Sequence, residues 1–210
     1  LHQISLSFLV ESMVKLRGGT APNIAYTLGL LGGAPNVMAT VGTDFSDYRT
    51  WLEANGVNTA AMKVIENESC ASFFANTDQE QNQIASFYAG AMAHAAELSF
   101  AQDTPDADLT IISPNDPGAM MAYVREAKKI GLNYIYDPSQ QTIWLSGEDL
   151  LEGLDGSYML TVNEYELGMI QEKTGLSKDD IYSKARGVLM TKGKDGSELM
   201  FDEIGRASCR

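Results

Sequence analysis

Between residues 108 and 193 the chain alternates between short β-rich apolar runs and longer amphipathic ones. It reads DLTIIS, a helical period over 117–130, YIYD, a helix near 147–153, YMLTV, a helix over 163–173, and GVLMTKG. Adjacent parallel strands need crossovers of a dozen or more residues, usually helical, so this order predicts a mostly parallel sheet covered by helices. In open sheets of that kind ligands bind outside the carboxyl ends of the strands. The residues just after IIS, IYD, LTV and LMT are therefore candidate site positions before any motif is considered.

The first half is less regular. Ile4, Leu6, Phe8 and Val10 alternate with Ser5, Ser7 and Leu9, which predicts an opening strand. A helix over 23–31 follows, with Ile24, Leu28 and Leu31 on one face, then the strand NVMATVG and an amphipathic DYRTWLEANG ending at Gly56. MKVI, CASFFANTD and NQIASFYAG are separated only by short turn-like stretches, too short for a crossover helix, and predict an antiparallel excursion. The expected architecture is one α/β domain with a small β appendage.

Composition narrows the function classes. With 210 residues, 44% of them hydrophobic, the chain can bury an ordinary globular core. Fifteen Lys and Arg against 28 Asp and Glu give a net charge of −13, which repels nucleic acid and anionic membrane. No apolar run approaches the roughly 20 residues of a bilayer span, and the start lacks the pattern of a signal peptide, so a cytoplasmic protein is expected. Cys70, Cys209, His2 and His94 form no metal-ligand or disulfide spacing. Neither GxxxxGK[ST] nor GxGxxG occurs, which argues against P-loop enzymes and ordinary dinucleotide dehydrogenases. The chain opens on leucine, and a strand upstream is expected to be missing. Residues 203–210, EIGRASCR, lack an apolar period and match the translation of a sequencing adapter, so they are expected to be a non-native tail behind a domain of residues 1–202.

Five short stretches could carry chemistry, and each has a plainer reading. Gly18 and Gly19 with Asn23 admit a ligand close to the backbone, or make a turn before a capped helix. Asn163 and Glu166 could organise a hydrated cation near phosphates, or form a capping box. Gln140 and Gln141, after a strand, could read a base or sugar edge, or lie in a polar turn. Phe73, Phe74, Phe87 and Tyr88 could sandwich a planar ligand, or fill a core. TKGKDG suits a nucleotide phosphate, or a hairpin before SELMF.

In order, RGGTAPN, VGTDF, NQIASFYAGAM, DPSQQ, NEYE and TKGKDG resemble the ribokinase-like (PfkB-type) carbohydrate and nucleoside kinases, over nearly the whole chain from Ile4 to Phe201. SLSFLV, ASFYAGAM and DPSQQ are most similar to the bacterial adenosine-kinase branch. The resemblance implies a three-layer α/β sandwich with a mostly parallel central sheet and a β lid, its strands at about 3–17 and 61–89. It implies that Gly18, Gly19 and Asn23 hold sugar hydroxyls, that Ser7 and Phe8 belong to the lid, that Phe73 and Phe87 stack a purine, and that Gln140 and Gln141 contact the base. It further implies nucleotide contacts at Asn163, Thr191 and Gly193, magnesium held through water by Glu166, and ATP as donor to a primary hydroxyl. Adenosine is the favoured acceptor; ribose, fructose or a non-catalytic nucleoside or sugar sensor are the alternatives. The family's G-A-G-D stretch with its catalytic aspartate does not occur in these 210 residues, nor does the early strand with a substrate-binding aspartate, so this stretch is expected to be inactive alone. The apolar lid, with Phe8 and Val10, offers a homodimer surface.

Overall fold

The computed structural model describes residues 7, 9–201 and 205–209. Of the expected opening strand, Ile4, Ser5, Leu6 and Phe8 lie outside the described residues. Residues 9–17 carry no strand pairing, and Leu9, Met13, Val14 and Leu16 are exposed.

The alternation over 108–193 becomes a six-stranded sheet. Strands β5 (Leu109–Ile112), β6 (Asn133–Tyr136), β7 (Met159–Asn163) and β8 (Gly187–Thr191) pair in parallel. Antiparallel strands β9 (Ser197–Phe201) and β10 (Gly205–Cys209) extend one edge. TKGKDG forms the β8–β9 hairpin turn, with Lys192 N–H donating to Gly196 O at 2.8 Å. Residues 205–209 of the expected tail thus pair as an edge strand. Ladder bonds are made by backbone, so the pairing is indifferent to side-chain origin.

Crossover helices fill the intervals: α4 (Pro117–Ile130), α5 (Gly147–Leu154), α6 (Glu164–Thr174) and the short α7 (Lys178–Tyr182). Their ends follow from local chemistry. Asp116 caps α4 by accepting from Ala119 N at 2.9 Å, Pro117 occupies its first turn, and Gly131 closes it at φ +72°. Ser146–Asp149 and Ser177–Asp180 make capping boxes for α5 and α7. Strand residues Tyr134, Tyr136, Leu160, Val162, Val188 and Met190 share one sheet face at period two and are buried. They form one core with Met120, Val124, Ala127, Leu150, Leu154, Leu167 and Ile170 of the helices. Each fully buried leucine or valine contributes about 1.5–3 kcal/mol.

A second, smaller core lies upstream. It packs α1 (Thr20–Leu30) and α2 (Ser46–Ala54) against β1 (Ala39–Val41) and β2 (Met62–Val64) through Ala25, Val37, Val41, Phe45, Leu52, Val57 and Met62. β2 pairs parallel to β1, Ala39 opposite Met62. MKVI is therefore a parallel strand reached through α2 and stands apart from the antiparallel excursion. That excursion is the β3 (Ser72–Thr77) and β4 (Gln83–Tyr88) hairpin alone. A one-turn helix, α3 (Phe100–Asp103), and a 3-10 stretch, Gly90–Glu97, lead from the hairpin to β5.

Candidate functional site

The parallel strands deliver side chains from successive loops to one edge. Asn163 ends β7 directly opposite Thr191 of β8. After β6, Asp137 N–H donates to Ile112 O at 3.0 Å, which carries the β5–β6 ladder one residue past the strand end. Gln141 then reaches back and donates from Nε2 to Asn115 O, after β5, at 2.7 Å. Gln140, Gln141, Asn163, Glu166, Thr191 and Gly193 therefore all lie at or just after the carboxyl ends of strands β6 to β8, as the strand order predicts.

Asn163 and Glu166 form a capping box at α6. Asn163 Oδ1 accepts from Glu166 N–H at 2.8 Å, and a Glu166 carboxylate oxygen accepts from Asn163 N–H at 2.8 Å. The plainer reading of this pair is thus its geometry. It also pins both side chains at the sheet edge, and the box itself uses neither the other Glu166 oxygen nor the Asn163 amide nitrogen. Thr191 and Gly193 are exposed. The adjacent Lys192 turns away, its Nζ 2.7 Å from the buried Glu198 carboxylate.

The residue that sequence reasoning missed is Asp137. It sits within DPSQQ, where the sequence reading singles out only the two glutamines. Burial raises the Asp137 carboxyl above its ordinary value, and the Glu166 charge pushes it the same way, against a hydrogen bond from Ser139 Oγ at 2.8 Å. Ser139 itself holds φ +40°, a left-handed conformation that non-glycine residues rarely adopt. Such strain collects where surrounding structure fixes a functional geometry. Gln141 Oε1 is buried with no hydrogen-bond partner among the described residues. Two carboxylates, one orphaned amide oxygen and a strained turn thus converge after β6 and β7.

A second group sits at the start of α1. Gly19 caps the helix at φ +100°, a value that disfavours any side chain, and Asn23 N–H donates to its carbonyl at 3.2 Å. Unlike α4 to α7, α1 has no side-chain cap, so its first N–H groups are not claimed by a side chain. Asn23 is exposed beside them.

A third group is the hairpin. Phe73 and Phe87 face one another across β3 and β4, 65% and 57% exposed, so of the two readings open for these aromatics, filling a core does not hold in this structure. The opposite face of the hairpin carries Phe74, Ile84 and Tyr88, also exposed. VGTDF fastens the hairpin's root. Asp44 accepts from Cys70 N–H at 2.8 Å, which holds its carboxyl below the usual range, and Gly42 N–H donates to Cys70 Sγ at 3.3 Å. Burial pushes the Cys70 thiol up to about 11, so it rests as an unreactive thiol. No hydrogen bond or ion pair among the described residues joins the three groups to one another. Ser7 is exposed.

Comparison with known proteins gives this arrangement a context. The structure of the Burkholderia thailandensis nucleoside kinase in complex with inosine is 31% identical, with TM-score 0.90 over 97% of this chain and 68% of that one. The Methanocaldococcus jannaschii nucleoside kinase, described as an archaeal member of the ribokinase family, is 25% identical, with TM-score 0.89 over 99% of this chain and 69% of that one. The Methanothermobacter thermautotrophicus nucleoside kinase is 28% identical over 202 residues, and the alignment covers 94% of this chain and 65% of that relative's length. The fold is accordingly the α/β ribokinase-like one, with its mostly parallel central sheet. The family model for pfkB carbohydrate kinases matches residues 3–201, nearly the whole chain, and the chain belongs to the pfkB carbohydrate kinase family.

Proposed function

We propose that this chain serves an ATP-dependent kinase that transfers the γ-phosphoryl group to a primary hydroxyl of a nucleoside, with adenosine as the favoured acceptor and inosine next. The observation that carries the reading is the edge where Asn163, Glu166, Thr191 and Asp137 follow adjacent parallel strands, in a fold similar to nucleoside kinases, one of them holding inosine.

In this reading the uncapped start of α1, Gly18, Gly19 and Asn23, takes the ribose hydroxyls. Phe73 and Phe87 cover the purine from the hairpin, and Gln140 and Gln141 approach its edge. Asn163, Thr191 and Gly193 lie along the nucleotide. The mutual repulsion of Asp137 and Glu166 fits a hydrated magnesium ion, which either carboxylate would hold through water. Bound there, magnesium would supply charge neutralisation on the phosphates. Phosphoryl transfer depends chiefly on such positioning, so the strained Ser139 turn and the capping box contribute by fixing the edge before substrate arrives. No Gly-Ala-Gly-Asp stretch occurs within the 210 residues, and the general base is not assigned to any residue here. Residues 1–202 are expected to bind nucleoside but turn it over far more slowly than a relative that carries the stretch. The exposed apolar hairpin supports a homodimer joined through the lid.

Calorimetric titration with adenosine, inosine, ribose and fructose, alongside an ATP-dependent phosphorylation assay, tests the proposal. Nucleoside binding that outcompetes both sugars supports it. Preference for ribose or fructose moves the acceptor class, and fast turnover by residues 1–202 removes the expectation of inactivity.

A further inference from the structure

Residues 9–16, ahead of α1, are exposed and without strand pairing, yet at Arg17 and Gly18 the chain is held from the side. Tyr48 of α2, thirty residues on, donates its hydroxyl to Gly18 O at 3.1 Å. Arg17 lies over the Tyr48 and Trp51 rings, its guanidinium carbon 6.0 and 5.1 Å from their centroids. Those rings are themselves stacked into the small core. Tyr48 and Trp51 are 5.8 Å apart, Trp51 meets Tyr26 of α1 at 4.6 Å, and Phe45 meets Tyr48 at 5.2 Å. Burial raises the Tyr48 phenol, so it remains a neutral donor across the physiological range.

Two attachments on consecutive residues, from one aromatic ladder, remove freedom where the backbone has most. A Cβ added at Gly18 would meet nothing within 4 Å, so packing does not hold the backbone there, whereas the Gly18 carbonyl bond and the Arg17 stack do. We propose that Tyr48, supported by Arg17 on Trp51, is a positioning residue for the glycine loop, fixing the Gly18 carbonyl so that Gly19 and the open α1 terminus hold one orientation. The link to ligand rests on the reading of that loop as the acceptor's hydroxyl site.

The test uses the full chain and Tyr48→Phe, which keeps the ring and the stack and removes only the hydroxyl. Limited trypsin digestion reads the loop directly, since Arg17–Gly18 is itself a cleavable bond, and cleavage after Arg125 in α4 is the internal reference. Loss of one hydrogen bond should speed Arg17–Gly18 cleavage about fivefold, with the Arg125 site unchanged. Inosine affinity by calorimetry should weaken by a similar factor. Unchanged cleavage at Arg17 overturns the proposal, as does equal acceleration at both sites, which would make Tyr48 a general stability residue. Faster cleavage with unaltered inosine affinity overturns the positioning role. If the unsubstituted chain binds no nucleoside, the proposed function falls while the cleavage ratio still decides whether the clasp exists.

Discussion

The Asn163–Glu166 pair invites an experiment that separates its two readings, because the capping box and the phosphate-side role depend on different properties of the same atoms. Asn163→Ala removes the acceptor for Glu166 N–H, a loss worth about 1 kcal/mol at a helix start. For a domain of this size each kcal/mol moves Tm by roughly 2–4 °C. Glu166→Gln keeps an acceptor for Asn163 N–H, since glutamine completes the same box. It costs only ~0.5 kcal/mol, from the charge lost beside the helix N-terminus. If Glu166 also orders a magnesium ion through water, the same neutral variant should weaken magnesium–ATP binding by ~10–100-fold, the usual cost of losing an outer-sphere partner. Differential scanning fluorimetry and calorimetry with magnesium–ATP measure the two effects. A Glu166→Gln protein that loses as much Tm as Asn163→Ala, while binding nucleotide as before, would reduce the pair to a helix cap and refute the reasoning.

Two further outcomes concern the scaffold. Glu126 of α4 accepts from Ser99 Oγ, Phe100 N and Ala101 N; burial raises its carboxyl, but these bonds outweigh it and hold the group below its ordinary value near 4.5. Its contribution is therefore complete above that value and disappears as pH falls through the depressed one, so Glu126→Gln should flatten the acid limb of a urea-midpoint against pH profile, and an unchanged limb would contradict this. At Gly153, an added Cβ would overlap the fully buried Tyr136 ring and lie 2.6 Å from its hydroxyl, which has no hydrogen-bond partner among the described residues. Gly153→Ala should thus destabilise by about 1–3 kcal/mol despite its better helix propensity, and Tyr136→Phe should be neutral or stabilising by ~1 kcal/mol in denaturant titrations.

How legible this protein is in its sequence varies along the chain for physical reasons. The stretch 117–130 places Met120, Val124 and Ala127 on one helical face, between an Asp-Pro start and a glycine stop, and it folds as read. MKVI is misread because a strand's partner and direction are set by tertiary pairing, which a three-residue strand does not encode. The one-turn α7 is absent from the sequence reading although Ser177 and Asp180 spell a capping box ahead of it. Its brevity leaves no period to detect. The site splits the same way. Residues in motifs directly after strands were found from strand order, whereas Asp137 gains meaning only from Glu166, on another crossover. Tyr48 likewise depends on a contact thirty residues away.

The separation into two cores gives ligand binding a thermodynamic consequence. The glycine loop and its aromatic ladder rest on the small cluster of seven buried residues, while Asn163, Glu166 and Thr191 rest on the large one. A ligand bridging both halves adds RT ln(1 + [L]/Kd), about 2.7 kcal/mol at a hundredfold excess over Kd, to whichever opening would release it. The smaller cluster buries less and opens at lower cost, so it is the half whose amides gain most protection against hydrogen exchange. Occupancy of the proposed acceptor site would thereby be written into the folding equilibrium of the half that carries the glycine loop.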